Sequence, residues 1–336
     1  MKKLKIIFDI DSVLASRSCG PSSFDKLYAN TSGDFVIAYE TIHYLFPGVI
    51  EIMQYLFANP NVEIAFFSSG DEKRNREFVE ALLLKALGVD KYESIKEEVQ
   101  ANIFSKPHLI ARECYDNTSN CGKFGGQLKK DIRTVINPQF NPRKSMLDCR
   151  IDDYHYNEDL LRAVCGVINQ SIESTTNDPQ LKNVIIVDDD SSYILQTQCK
   201  KYIKLHPGRI FHPDRRAQNF FDVGETCFEE CNMIFYLTGI LAKCLELLDK
   251  NENIDNFLYA KQYRNGELER WFVYTDPKRQ SFFDDGLAIL QKLNPNLQFV
   301  TQKYYNWVIQ SASKESENEN EISELIQSLI DYKWQS

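Results

Sequence analysis

An α/β fold built on a parallel sheet is what this sequence of 336 residues predicts, and three observations predict it. Short apolar runs recur at residues 5–8, 62–67 and 183–187, helical patterns separate them, and each run ends in carboxylates or hydroxyls. Strands alternating with helices form βαβ units, with helices on both faces of the sheet. Open sheets of this class carry their chemistry at the carboxyl ends of the strands.

The first run, Ile6-Ile7-Phe8, passes into Asp9-Ile10-Asp11 and then into Ser12. Alternation along an extended chain would put Asp9 and Asp11 on the same side at the strand's carboxyl end. A lone Asp-x-Asp after a strand is commonly a turn or a helix cap, so the pair gains weight only from the later runs. The run at 183–187 ends in Asp188-Asp189-Asp190. Were the two strands neighbours, four or five carboxylates would meet at one sheet edge, a charge density that calls for a hard divalent cation such as Mg²⁺. The run at 62–67 ends in Ser68-Ser69-Gly70, and Gln127-Leu128-Lys129-Lys130-Asp131-Ile132 places lysine ahead of an apolar stretch.

In that order, strand-Asp-x-Asp, strand-Ser, Lys and strand-Asp-Asp resemble the four motifs of the haloacid dehalogenase (HAD) phosphatase superfamily. Phe46-Pro47-Gly48-Val49-Ile50-Glu51-Ile52-Met53 and Val184-Ile185-Ile186-Val187-Asp188-Asp189 resemble its small C-terminal-domain phosphatase branch, and the likeness covers about residues 4–200. It implies a HAD-like, Rossmann-type sheet and a phosphoric monoester hydrolase that works through an aspartyl phosphate. Asp9 would be the nucleophile, and Asp11 the acid and then the base. Ser68, with Ser69 as the alternative, would donate to a phosphate oxygen. Lys130 best matches the family's lysine, with Lys129 and Lys106 as alternatives. Asp9, Asp188, Asp189 and the backbone carbonyl of Asp11 would bind Mg²⁺. Val13 stands where many relatives have threonine.

Composition narrows the field independently. Hydrophobic content of 43% and charged content of 26% are globular values. A net charge of −9 argues against a general nucleic-acid partner, which needs a basic surface to displace counterions. Met1-Lys2-Lys3-Leu4-Lys5 lacks the apolar core of a signal peptide, so the nine cysteines are expected as reduced thiols in a cytosol. None has arginine six positions on, which excludes the Cys-x5-Arg loop of thiol phosphatases. Cys227 and Cys231 lie four apart on an expected helix without a matching ligand pair, and His206 and His212 read as loop histidines.

The remaining stretches complete the expected organisation. The irregular stretch at 15–34 would cover the site; the resemblance implies that a cap can be inserted here, and the interval from Asp11 to Phe46 is too short for a bulky one, which suits a phosphate displayed on a protein. Helical patterns occupy 75–87, with Phe78, Leu82 and Ala86 on one face, and also 158–172 and 228–248. The two long intervals 71–126 and 137–182 exceed those of the compact relatives, and either would shape the pocket. Residues 1–250 form the expected phosphatase domain, 251–310 a smaller, mainly helical one, and 311–336 an acidic tail. In the smaller unit Arg264, Arg270, Lys278 and Arg279 surround Trp271-Phe272-Val273-Tyr274, a pattern able to hold a phosphoinositide headgroup at a membrane or to line an ordinary core. The glutamate-rich block after Ser313 resembles the signal of effectors that intracellular bacteria inject by type IV secretion, although such runs are commonly solvated tails. Together these features resemble secreted HAD phosphotyrosine phosphatases, and the resemblance implies a phosphotyrosine phosphatase made in a bacterial cytoplasm and delivered into a host cell, acting on a phosphoprotein. The alternatives are a small-metabolite phosphatase and a lipid-targeted protein with a vestigial catalytic domain.

Overall fold

The structure is a computed structural model that describes residues 3–15, 35–113, 126–137, 181–190, 193–194, 198, 201–205, 224–264, 267–268 and 277–299. Its centre is a parallel five-stranded sheet of β1 (Leu4–Phe8), β4 (Val62–Phe67), β5 (Ile103–Phe104), β8 (Val184–Asp188) and β9 (Tyr202–Lys204), in the order β5-β4-β1-β8-β9. β1 is central, pairing Phe8 with Phe66 on one side and with Val187 on the other. The strand order reverses about β1, so the carboxyl ends of β1 and β8 flank a topological switch point, where open α/β sheets leave a crevice.

Both faces of the sheet are covered, which explains the apolar runs of β1 and β8 and the apolar second half of β4. Leu4, Ile6, Phe8, Phe66, Ile185 and Val187 point into one apolar cluster, while Ile7, Ala65, Phe67, Val184 and Ile186 point into the other. The first cluster is closed by α1 (Val49–Phe57), α2 (Glu72–Leu87), α3 (Val89–Ala101), α5 (Gly224–Asp249), α6 (Ile254–Gln262) and α7 (Pro277–Gln291). The second receives Ile132 and Val135 of α4 (Ile132–Ile136). Two antiparallel hairpins project from this frame. One pairs β2 (Phe35–Ala38) with β3 (Thr41–Tyr44), and the other pairs β6 (Ile110–Glu113) with β7 (Gly126–Lys129), which leads directly into Lys130.

Local chemistry sets the helix starts. Gly48 precedes α1 at φ 88°, a conformation open to glycine, and a Cβ there would approach Leu290 and Ile234. Asp71 caps α2 by accepting from the backbone amides of Lys73 (2.9 Å) and Arg74 (3.2 Å), so the helix begins three residues before the expected residue 75. Its buried face includes the expected Phe78, Leu82 and Ala86. α5 contains the expected 228–248 and carries both Cys227 and Cys231. Cys244 is a free thiol fully inside the core, and burial pushes its pKa up.

The helices described in the 251–310 segment contribute to the same apolar cluster as the sheet, through Ile254, Leu258, Phe282, Phe283 and Leu290. α7 lies against α5 at backbone contact. A Cβ on Gly239 would fall 2.0 Å from the carbonyl of Phe282, and one on Gly286 would fall 1.8 Å from that of Phe235. β10 (Tyr263–Arg264) and β11 (Glu267–Leu268) make a minimal antiparallel pair after α6. Several expectations lie outside the described residues: the cover at 16–34, the helix at 158–172, the loop histidines, Arg270 with its aromatic neighbours, and the acidic tail. Among the described residues no helix is long and apolar enough to cross a membrane.

Candidate active site

Asp9 follows β1 directly, and its backbone amide donates to the carbonyl of Val187, 2.9 Å away on β8. That bond sets Asp9 beside Asp188, the last residue of β8. Carboxylate oxygens of Asp9, Asp188 and Asp189 come within 4.8 Å of one another, the one such cluster among the described residues. Lys130 reaches in from the end of β7. Its Nζ lies 2.6 Å from Asp188 Oδ2 and 3.1 Å from Asp9 Oδ2, at 1% exposure. The second oxygen of Asp9 accepts from the amide of Ile10 (2.8 Å), and that of Asp188 from the amide of Asp190 (2.9 Å).

The lysine is held by more than its ion pairs. Its amide donates to the carbonyl of Tyr193 (2.7 Å), and its ammonium faces the rings of Tyr193 and Phe67. The next residue, Asp131, is fully buried. It caps α4, accepts from the guanidinium of Arg133 at 2.6 Å and accepts from the side-chain amide of Gln198 at 2.8 Å. A buried carboxylate with that many donors has one arrangement, so the backbone at Lys130 is fixed. Of the alternative lysines, Lys129 pairs in register with Ile110 in the hairpin, and Lys106 is exposed on a short helical turn (Lys106–His108).

Electrostatics follow from this crowding. Burial, with repulsion from Asp188 and then from Asp9, pushes the Asp189 carboxyl up to about 8. Burial also raises Asp9 to about 7 against the opposing pull of Lys130, and it raises Asp188 in the same way. Burial alone would lower the pKa of Lys130, but Asp188 and Asp9 outweigh it, so the ammonium is held more firmly than usual. One lysine cannot balance three acids. The donor set is entirely carboxylate oxygen, which fits a hard divalent cation and not a soft one.

Asp11 goes elsewhere. β1 ends at Phe8, and the chain turns tightly, with Ser12 at φ 63° and its amide on the carbonyl of Ala15, so strand alternation no longer governs where Asp11 points. Its carboxylate is clamped by both arms of Arg74, at 2.5 and 2.6 Å, and lies 3.4 Å from Ser68 Oγ. Asp9 and Asp11 thus reach the same sheet edge with different partners. Ser68 is 1% exposed at the end of β4, and its Oγ also meets the amide of Gly70 (3.3 Å), whereas Ser69 is less buried.

Sequence reasoning misses two neighbours of the site. Arg74 carries one readable sign, since it is a cation in the first turn of a helix, where the macrodipole disfavours positive charge. His43, on β3, is buried against Phe78 with ring centroids 5.3 Å apart. Burial lowers its pKa, the Arg74 charge acts the same way, and Asp11 opposes both. Nothing about its place in the sequence distinguishes it from a core histidine. No protein-family model matches this chain, and no curated protein matches it in sequence.

Proposed function

We propose that the chain is a HAD-type, Mg²⁺-dependent phosphatase that forms an aspartyl phosphate on Asp9 and acts on phosphotyrosine in a protein. The observation that carries this reading is the contact of Lys130 with both Asp9 and Asp188 where three carboxylates converge.

In the proposed reaction an Asp9 carboxylate oxygen attacks phosphorus, the phosphorus–oxygen bond to the alcohol breaks, and Asp11 gives its proton to the departing oxygen. Water then attacks the acyl phosphate with Asp11 taking a proton, which regenerates Asp9 and releases orthophosphate. Lys130 orients the Asp9 carboxylate and opposes the negative charge gathered there. Ser68 Oγ donates to a non-bridging phosphate oxygen, a contact most useful as charge builds in the transition state. Asp9, Asp188 and Asp189 would hold the Mg²⁺, whose role is to neutralise the repulsion between the phosphate dianion and the attacking carboxylate. Preference for an aryl ester rests on the sequence, through the short interval after Asp11 and the better leaving ability of a phenolate.

The test is hydrolysis of phosphotyrosine, phosphoserine, phosphothreonine and sugar phosphates assayed side by side. Mg²⁺-dependent turnover that EDTA abolishes is expected, fastest on phosphotyrosine. Equal rates on matched phosphotyrosine and phosphoserine peptides would remove the substrate assignment alone. No turnover of any phosphate ester would remove the activity.

A further inference from the structure

We propose that Arg74 is a phosphate-binding side chain that changes partner, holding Asp11 until a phosphate monoester arrives and then passing its guanidinium fork to a non-bridging phosphate oxygen. The inference rests on the phosphatase reading of the site. It assigns to this chain a second protein cation for the phosphate, supplied by the helix after β4.

The geometry points to it in three ways. First, Arg74 shares the serine expected to touch phosphate: Nη2 lies 3.4 Å from Ser68 Oγ, the distance that also separates Ser68 Oγ from Asp11 Oδ2. Both contacts are at the long limit for a hydrogen bond, so the hydroxyl is weakly engaged and an oxyanion accepting from it would sit beside the guanidinium. Second, the loop is shaped around the arginine. A Cβ on Gly70 would fall 2.1 Å from Arg74 Nη2, and the same nitrogen donates to Asn75 Oδ1 at 2.7 Å, with Asn75 anchored in turn on Ser105 Oγ at 2.9 Å. The side chain is therefore aimed at the strand ends and not free to swing out into solvent. Third, the pair is reachable, with the Arg74 and Asp11 side chains 14% and 21% exposed, unlike the sealed contact of Lys130 with Asp188.

The exchange has a chemical logic. A guanidinium fork fits two oxygens of a phosphate as well as two of a carboxylate, and a dianion attracts it more strongly. While clamped at both oxygens, Asp11 has neither turned to a leaving group. Departure of Arg74 to the phosphate lets Asp11 take up a proton from solvent or from the monoanionic ester and turn to the leaving oxygen, so the arrival of the correct anion completes the site. The cation sits against the dipole of α2 and needs an anion beside it in either position.

Orthophosphate is the probe. Its affinity would be measured by titration calorimetry in Mg²⁺ and, as a competitive inhibitor, against an aryl phosphate, in the full-length wild-type protein, Arg74→Ala and Arg74→Lys. Arg74→Ala is expected to weaken orthophosphate by about 10- to 100-fold and to raise KM in step, with Arg74→Lys intermediate because it keeps the charge but not the fork. Unchanged orthophosphate affinity in Arg74→Ala with a lower kcat would overturn the proposal, leaving Arg74 as a positioning residue for Asp11. Should Arg74→Ala prove unfolded by circular dichroism, Arg74→Lys decides alone, and unchanged orthophosphate affinity there would overturn the proposal equally. A wild-type protein that hydrolyses no phosphate ester would instead overturn the phosphatase reading beneath it.

Discussion

At the carboxyl edge of the sheet, Asp9, Asp188 and Asp189 are packed within 4.8 Å of one another around a single ammonium, whereas along the α5–α7 seam two glycines bring helix backbones into contact. The seam is close-packed and specified by the absence of side chains at Gly239 and Gly286. The edge is polar, and its acids repel. Burial and then mutual repulsion raise the pKa values of these acids, a local electrostatic cost that the seam does not carry and that concentrates at functional sites in proteins generally.

Substitution should break the two regions in opposite ways. The largest effect is expected from Asp9→Asn, which should lower kcat on an aryl phosphate by ~10³-fold or more with little change in melting temperature, because an amide cannot attack phosphorus. Turnover near the wild-type rate in the purified variant would show that the nucleophile is another residue.

Next in size comes Gly286→Ala. The added methyl would meet the Phe235 carbonyl at 1.8 Å, backbone that cannot swing aside, so α5 and α7 must part. A loss of about 3 kcal/mol is expected, or roughly 6–12 °C in melting temperature, with the proposed turnover per folded molecule unchanged. A melt indistinguishable from wild type would mean that the seam does not hold the fold.

The smallest effect sharpens the contrast from the edge. The Asp9 and Asp189 carboxyls have folded values raised to about 7 and about 8 from 3.8, so the native state favours their protons. In metal-free protein the stability they contribute is full below their unfolded values and is lost as pH rises through about 7 and about 8. A divalent ion binds the deprotonated form and offsets that loss. The melting temperature in Mg²⁺ minus that in EDTA should therefore be near zero at acid pH and grow to a few degrees through neutrality and above. A difference that stays constant across this range would argue against these three carboxylates as the ligands.

Much of this contrast is legible in the sequence. β1 and β8 declare themselves because they are buried on both faces and so read as nearly unbroken apolar runs, and β4 does so in its second half, after Glu63. The Asp9, Ser68 and Asp188 positions stand out because they end such runs, whereas Lys130 is picked out from Lys129 and Lys106 only by its resemblance to the family's lysine motif. β5 and β9 do not declare themselves, having two and three residues and therefore no periodicity to detect. The Asp11–Arg74 clamp is hidden for a different reason. It depends on a turn at Ser12, set by a backbone bond, and on a helix that begins earlier than its apolar pattern, set by the Asp71 side-chain cap, and neither leaves a hydrophobic signature. Gly239 and Gly286 are equally silent, since a glycine within a helical pattern announces a weak helix as readily as a close crossing.

Lys130 is pinned from both directions: the β6–β7 hairpin delivers it, pairing Glu113 with Gly126 at its outer end, and the Asp131, Arg133 and Gln198 knot secures the chain just past it. Two independent anchors on either side of one residue make its position redundant: loosening either the strand pairing or the knot alone should leave the ammonium in place, and only the loss of both should let it drift.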